Sequence, residues 1–171
     1  GIEHVRTASK YGMLDNKLLL EQVNKQMKKS FWDIFTSDLK CNPPNWKQFP
    51  QIINDIQLKF KNILPKSNYE ENAKIVHSQL NSKHIILKMK NKTFDLQYIY
   101  DIISFSLYKL LELHNSISED KIKEMIKDLD ENIKTNETFI LKIPSYLEFI
   151  LTELEVIETY KKIFSKNGSN N

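Results

Sequence analysis

Along most of the chain, apolar residues recur at spacings of three and four, the pattern of helices that bury one face. The most apolar stretch, residues 94–113, carries apolar side chains on nearly every face, with only Asp95, Asp101, Lys109 and Glu112 charged. A helix of that kind is either a membrane span or the central rod of a bundle. Its charges, with Gln97, Ser104 and Ser106 beside them, break any uncharged apolar run of about 18 residues. It is therefore expected to be the core helix around which the others pack.

The remaining elements follow from stripes and breakers. A first long helix is expected over residues 17–40, capped by Asp15 or Asn16. Leu20, Val23, Met27, Phe31 and Ile34 line one face of it, Trp32 and Phe35 widen that face, and Lys25, Lys28 and Lys29 stay wet. Pro43 and Pro44 stop it, because proline lacks the amide donor and the residue before a proline avoids helical dihedrals. A second helix over 47–64 tolerates Pro50 in its first turn and presents Phe49, Ile53, Ile56, Phe60 and Ile63. Two short helices follow, 71–80 with Ile75 and Val76 inward, and 83–91 with Ser82 as cap and Ile85, Ile86 and Met89 inward.

Thr93 is the expected cap of the central helix, with Asp95 in the first turn where the helix dipole favours negative charge. Ser118, Glu119 and Asp120 form a helix-start signature for a segment reaching residue 134, with Ile122, Met125, Ile126, Leu129 and Ile133 on one side. A last helix over 137–164 presents Ile140, Ile143, Leu147, Ile150, Leu154 and Ile157, with a kink or short break expected at Pro144. No strand-length alternation appears. The pattern predicts an all-α bundle of six or seven helices over residues 15–164. An N-terminal arm or tag remnant, 1–14, precedes it and a polar tail, 165–171, follows.

Composition sharpens this picture. Three glycines and five prolines are too few for the frequent turns of a sandwich or barrel. The heavy use of Lys, Asn and Ile is the bias of A/T-rich coding sequence, as in a protist or a large DNA virus. Net charge is +3, and Arg6 is the only arginine, which weakens a nucleic-acid reading because arginine is preferred for bidentate phosphate and guanine contacts. Cys41 is alone, so neither an intrachain disulfide nor a Cys-pair zinc site can form. No basic-then-apolar leader is seen at residues 1–12, and a cytoplasmic location is expected.

Candidate chemistry is sparse. Asp128, Asp130 and Asn132 resemble the opening of a calcium loop, but the sixth position is Ile133 rather than glycine and the twelfth is Phe139 rather than glutamate. His77, His84 and His114 lack metal-ligand spacing, and Cys41 is expected to be a partly buried structural cysteine. With glycines only at 1, 12 and 168, a phosphate-cradling loop is excluded. Glu148, Glu153, Glu155 and Glu158 make the last helix acidic and read as a solvated face. Lys83, His84, Lys88, Lys90 and Lys92 form the densest basic cluster and are the candidate anion contact, for RNA, lipid or a phosphoprotein. No catalytic residue, cofactor or metal is expected.

One ordered set of residues goes beyond composition. Phe31, Trp32 and Asp33 come late on a long helix, and Asn42, Pro43, Pro44, Asn45 and Trp46 follow. Then come Ile53-Asn54-Asp55-Ile56, Ile63-Leu64-Pro65, an Asp95 opening the apolar helix and an Asp120 opening the next. Over residues 15–164 this resembles the T-complex protein 11 family. It departs from that family at Asn115–Asp120, where Pro, Arg and Asp are usual, and at Lys92-Thr93-Phe94, which replaces a Gly-Ala. The resemblance implies a divergent, short member or a fragment: an α-helical, non-enzymatic protein with no catalytic residues. It also implies a protein partner, and links to cyclic-AMP signalling or to cytoskeletal and membrane-proximal contacts. The alternative is a nucleic-acid or anionic-membrane binder working through the lysine cluster.

Overall fold

The computed structural model describes residues 2–114, 118–133 and 135–169, with side chains described for 12–114, 118–133 and 135–165. Seven helices follow one another: α1 (Ile2–Lys40), α2 (Phe49–Ile63), α3 (Tyr69–Gln79), α4 (Ser82–Lys90), α5 (Leu96–Leu113), α6 (Glu119–Asn132) and α7 (Asn136–Ser169). Among the described residues there is no strand. The fold is all-α, and no helix is long and apolar enough to cross a membrane among those residues.

The helix with the most partners is α7. It packs against α1, α2, α5 and α6, while α2 carries α3 and α4, and α5 pairs with α6. Its Phe139, Ile143, Tyr146, Leu147, Ile150, Leu154 and Ile157 are all buried. Burying a side chain of this size stabilises by about 1.5–3 kcal/mol, so this row anchors the bundle. Helix α5, expected at the centre, packs mainly on α6 and α7, and its Tyr98 also meets His84 and Lys88 of α4. Its apolar girth is explained by a narrow wet strip of Gln97, Asp101, Tyr108 and Glu112, with most other positions covered.

Helix α2 follows its expected stripe. Phe49, Ile53, Ile56, Phe60 and Ile63 are at most 1% exposed, and Pro50 lies in the first turn. Beside them the buried Gln57 Nε2 donates to the Leu80 carbonyl at 2.6 Å. That carbonyl lies just past the end of α3, where helical carbonyls lack partners, so the bond ties α3 to α2. Lys161 of α7 likewise donates to the Ile63 carbonyl at the end of α2.

Several local expectations need correction. Helix α1 begins at Ile2 rather than near residue 17, and its row Leu20, Val23, Met27 and Ile34 is exposed; Phe35 and Leu39 hold it to the core instead. The cap of α4 is Asn81, whose side chain accepts from the His84 amide, not Ser82. Asp95 is itself the cap of α5, accepting from the Tyr98 amide at 2.8 Å, in place of Thr93. Ser118 precedes α6 without a side-chain capping bond. Ile75 and Ile86 face solvent, while Val76 and Ile85 are fully buried. The chain stays helical through Pro144, and the Ser145 hydroxyl donates to the Lys142 carbonyl at 2.6 Å. Glu153 is only 5% exposed, not on a solvated face, and its Oε2 has no hydrogen-bond partner among the described residues.

Gln57→Leu leaves the buried Leu80 carbonyl without a donor and is expected to cost about 1–3 kcal/mol. Glu153→Leu removes a buried carboxyl with an unpartnered oxygen and is expected to match or exceed the parent in stability. Urea unfolding of both variants checks this; a Gln57→Leu protein as stable as the parent contradicts the tie.

Candidate functional site

A cleft of about 390 Å³ opens where α1, α2 and α7 meet. Met27, Lys28, Phe31 and Trp32 come from α1, Asp55 and Lys59 from α2, and Glu148, Leu151, Thr152 and Glu155 from α7. The apolar members are present because α1 leaves the bundle here. Phe35 is the last fully covered residue toward the N-terminus, and Phe31 and Trp32, one turn earlier, are half-covered. Trp32 meets Phe31 edge-on at a centroid distance of 5.3 Å and Phe35 at 6.1 Å, a geometry the aromatic quadrupoles favour.

The rim is charged and partly self-neutralised. The Glu155 carboxylate accepts Lys59 at 3.5 Å and Lys28 at 3.7 Å. Asp55 accepts from the Gln51 amide at 3.1 Å. Three carboxylates therefore face two lysines, a rim with one acid in excess. No histidine, cysteine or serine lines the cleft. An aromatic and aliphatic floor with a slightly acidic rim is a surface for an apolar side chain carried on a basic edge.

The family-motif residues separate into two groups. Phe31 and Trp32 floor the cleft, and Asp33 lies exposed beside it. The Pro43-Pro44 turn and the start of α5 come together elsewhere: Trp46 meets Phe94 at 5.6 Å and Phe49 at 5.9 Å, and Phe94 meets Tyr98 at 6.1 Å. Asp120 is exposed in the first turn of α6. Asn115, Ser116 and Ile117 lie outside the described residues.

The lysine cluster splits across α4. His84 and Lys88 are four residues apart on one face, whereas Lys83 and Lys90, seven apart, share another. The Lys88 ammonium sits 4.6 Å over the Tyr98 ring, a cation–π contact that occupies it. Lys92 follows the helix with a left-handed φ of 56°.

Cys41 is exposed rather than partly buried, and the remaining candidates are engaged by structural partners. His77 contacts Lys61 and His114 contacts Glu119 at 3.4 Å each. Among the described residues, no three His, Cys, Asp or Glu side chains could hold a metal ion. Asp128 accepts the Tyr146 hydroxyl at 2.9 Å and lies 3.7 Å from Lys142. Sequence reasoning missed Lys59 and Leu151. For Lys59 a signal existed, since Asp55 and Lys59 repeat at four residues on the side of α2 away from its apolar stripe.

A family model described as T-complex protein 11 matches residues 11–164. No curated protein matches, and no solved structure matches.

Burial, and then the hydrogen bond to Asp128, push the Tyr146 phenol well above the ordinary tyrosine value. A raised folded value means that its contribution is intact below the unfolded pKa of about 10 and is lost as pH rises past it. Unfolding free energy is thus expected to fall above that pH, and less steeply in Tyr146→Phe. Urea titrations across the alkaline range check it, and identical slopes for the two proteins contradict it.

Proposed function

The chain belongs to the T-complex protein 11 family, and we propose that it serves as a non-enzymatic helical module that binds a protein partner in the α1–α2–α7 cleft. The observation that carries this reading is the cleft itself: Phe31, Trp32 and Leu151 below a rim in which Glu155 already holds Lys28 and Lys59. A partner helix laid across it would place an apolar anchor on the aromatic floor and a basic residue against Asp55 and Glu148. The rim residues fix orientation, and the floor supplies most of the affinity. We place this contact in the cytoplasm, within cyclic-AMP-linked signalling or at a cytoskeletal or membrane-proximal assembly, as the family resemblance suggests.

The test is capture from nuclease-treated cell lysate at low and moderate salt, with the chain as bait, beside the double variant Asp55→Lys/Glu148→Lys. A discrete protein that stays bound as salt rises is expected, with capture by the variant reduced about tenfold, a loss of the size expected for an interfacial charge pair. The variant's unfolding midpoint should be unchanged. Equal capture by both proteins overturns the cleft. Material lost on nuclease treatment or at modest salt assigns binding to a polyanion on the lysine face instead.

A further inference from the structure

The charges around the α1–α2–α7 cleft are not equivalent. The Glu155 carboxylate lies 3.7 Å from Lys28 and 3.5 Å from Lys59, so both lysines of the cleft are committed to one acid. Asp55 of α2 accepts only from the neutral Gln51 amide. Among the described residues, neither Asp55 nor Glu148 has an ion-pair partner. Two carboxylates on two different helices therefore border the cleft with their charge unmet, and Asp55 is half-buried.

The rings set a second condition. Phe31 and Trp32 stand at 81° to each other with centroids 5.3 Å apart, so they form perpendicular walls, each half-covered. Lys28 and Lys59 turn to Glu155 rather than to these rings; the cation–π contact among the described residues is on α4, Lys88 over Tyr98. Aromatic faces attract positive charge, and unmet carboxylates neutralise it, so rings and acids select the same ligand, a cation. An ammonium is a compact, strongly hydrated point charge that resists leaving water. A guanidinium is flat and weakly hydrated, stacks on an aromatic face and offers its donors as a fork matched to carboxylates. Donors spread around one plane also suit two acids on separate helices better than a single point does. An anion, by contrast, would meet three carboxylates against two lysines already held.

We propose that the cleft is an arginine-binding subsite, in which a partner's guanidinium lies against Trp32 and donates to Asp55 and Glu148. Phe31 and Leu151 are left to the apolar side chain beside it. The inference rests on the reading of the cleft as a partner-binding site and names the side chain that its rim selects.

Titration with N-acetylarginine amide, followed by NMR at the Trp32 indole NH, tests this without the partner; Trp46→Phe assigns the signal. The lysine amide is a cation without the fork, and the citrulline amide has the shape of arginine without its charge. Saturable movement with arginine amide is expected, with both comparisons about tenfold weaker, the size of a partly desolvated cation–π contact. Asp55→Asn/Glu148→Gln keeps the side-chain shapes, should unfold at the parent's midpoint and should lose the preference for arginine. A Trp32 signal that arginine amide does not move overturns the inference. So does equal binding of lysine amide, which leaves a point-charge contact, or of citrulline amide, which leaves an apolar slot. An arginine preference that survives the double variant overturns it too. The two readings fail separately. Lysate capture that depends on the rim, without an arginine preference, sinks only this inference; an arginine preference with capture unaffected by Asp55→Lys/Glu148→Lys sinks only the partner site.

Discussion

The buried row on α7 is the constraint on which the rest of the molecule depends. One helix can serve four neighbours only if its covered arc is wide, and Ile143, Tyr146, Leu147, Ile150 and Leu154 supply that arc without a break. Tyr146 shows the condition attached. A phenol at full burial needs a partner, and Asp128 of α6 provides it, so the same contact that satisfies the hydroxyl also positions α6. The arc ends where α7 outruns its neighbours. Beyond Ile157 the helix is largely exposed, and α1 leaves the bundle earlier along it, beside Glu148–Glu155. The cleft is thus a consequence of α1 leaving the core while α7 is still held in it.

Apolar spacing made the helices legible, because every one of the seven repeats at three and four residues and is bounded by proline, asparagine or a run of polar residues. It did not reveal what each stripe faces. The row Leu20, Val23, Met27 and Ile34 has the same spacing as the α2 row Phe49, Ile53, Ile56 and Phe60, yet one is bare and the other fully covered. Periodicity reports that a helix can bury a face and is silent on whether the covering element belongs to the same chain. Apolar content alone also did not single out α7 beside residues 94–113. Mean apolar content measures how much surface must be hidden, whereas α7 gained its position through the number of neighbours it touches.

Caps were legible to within one or two residues and no better. Ser82 and Thr93 have the right chemistry, but Asn81 and Asp95 lie beside them and reach the third amide of their helices. Local hydrogen-bonding options were equivalent on paper, and backbone geometry chose between them. The candidate site was legible only in pieces. Phe31 and Trp32 stood out as aromatic, but the cleft needs Asp55 and Lys59 from α2 and Leu151 from α7, which distant packing alone brings beside them.

Several acidic residues of α6 and α7 are engaged within the fold. Glu155 holds two lysines at the rim, Asp128 is bonded to Tyr146, and Glu158 pairs with Lys162 at 3.2 Å. Glu153 is enclosed by the bundle and does not line the cleft. Each of these groups is used to hold a helix in place or is shut away from the cleft. Two apolar surfaces remain presented to solvent: the aromatic floor beside Trp32 and the bare row on α1. Surfaces of that composition gain free energy by being covered.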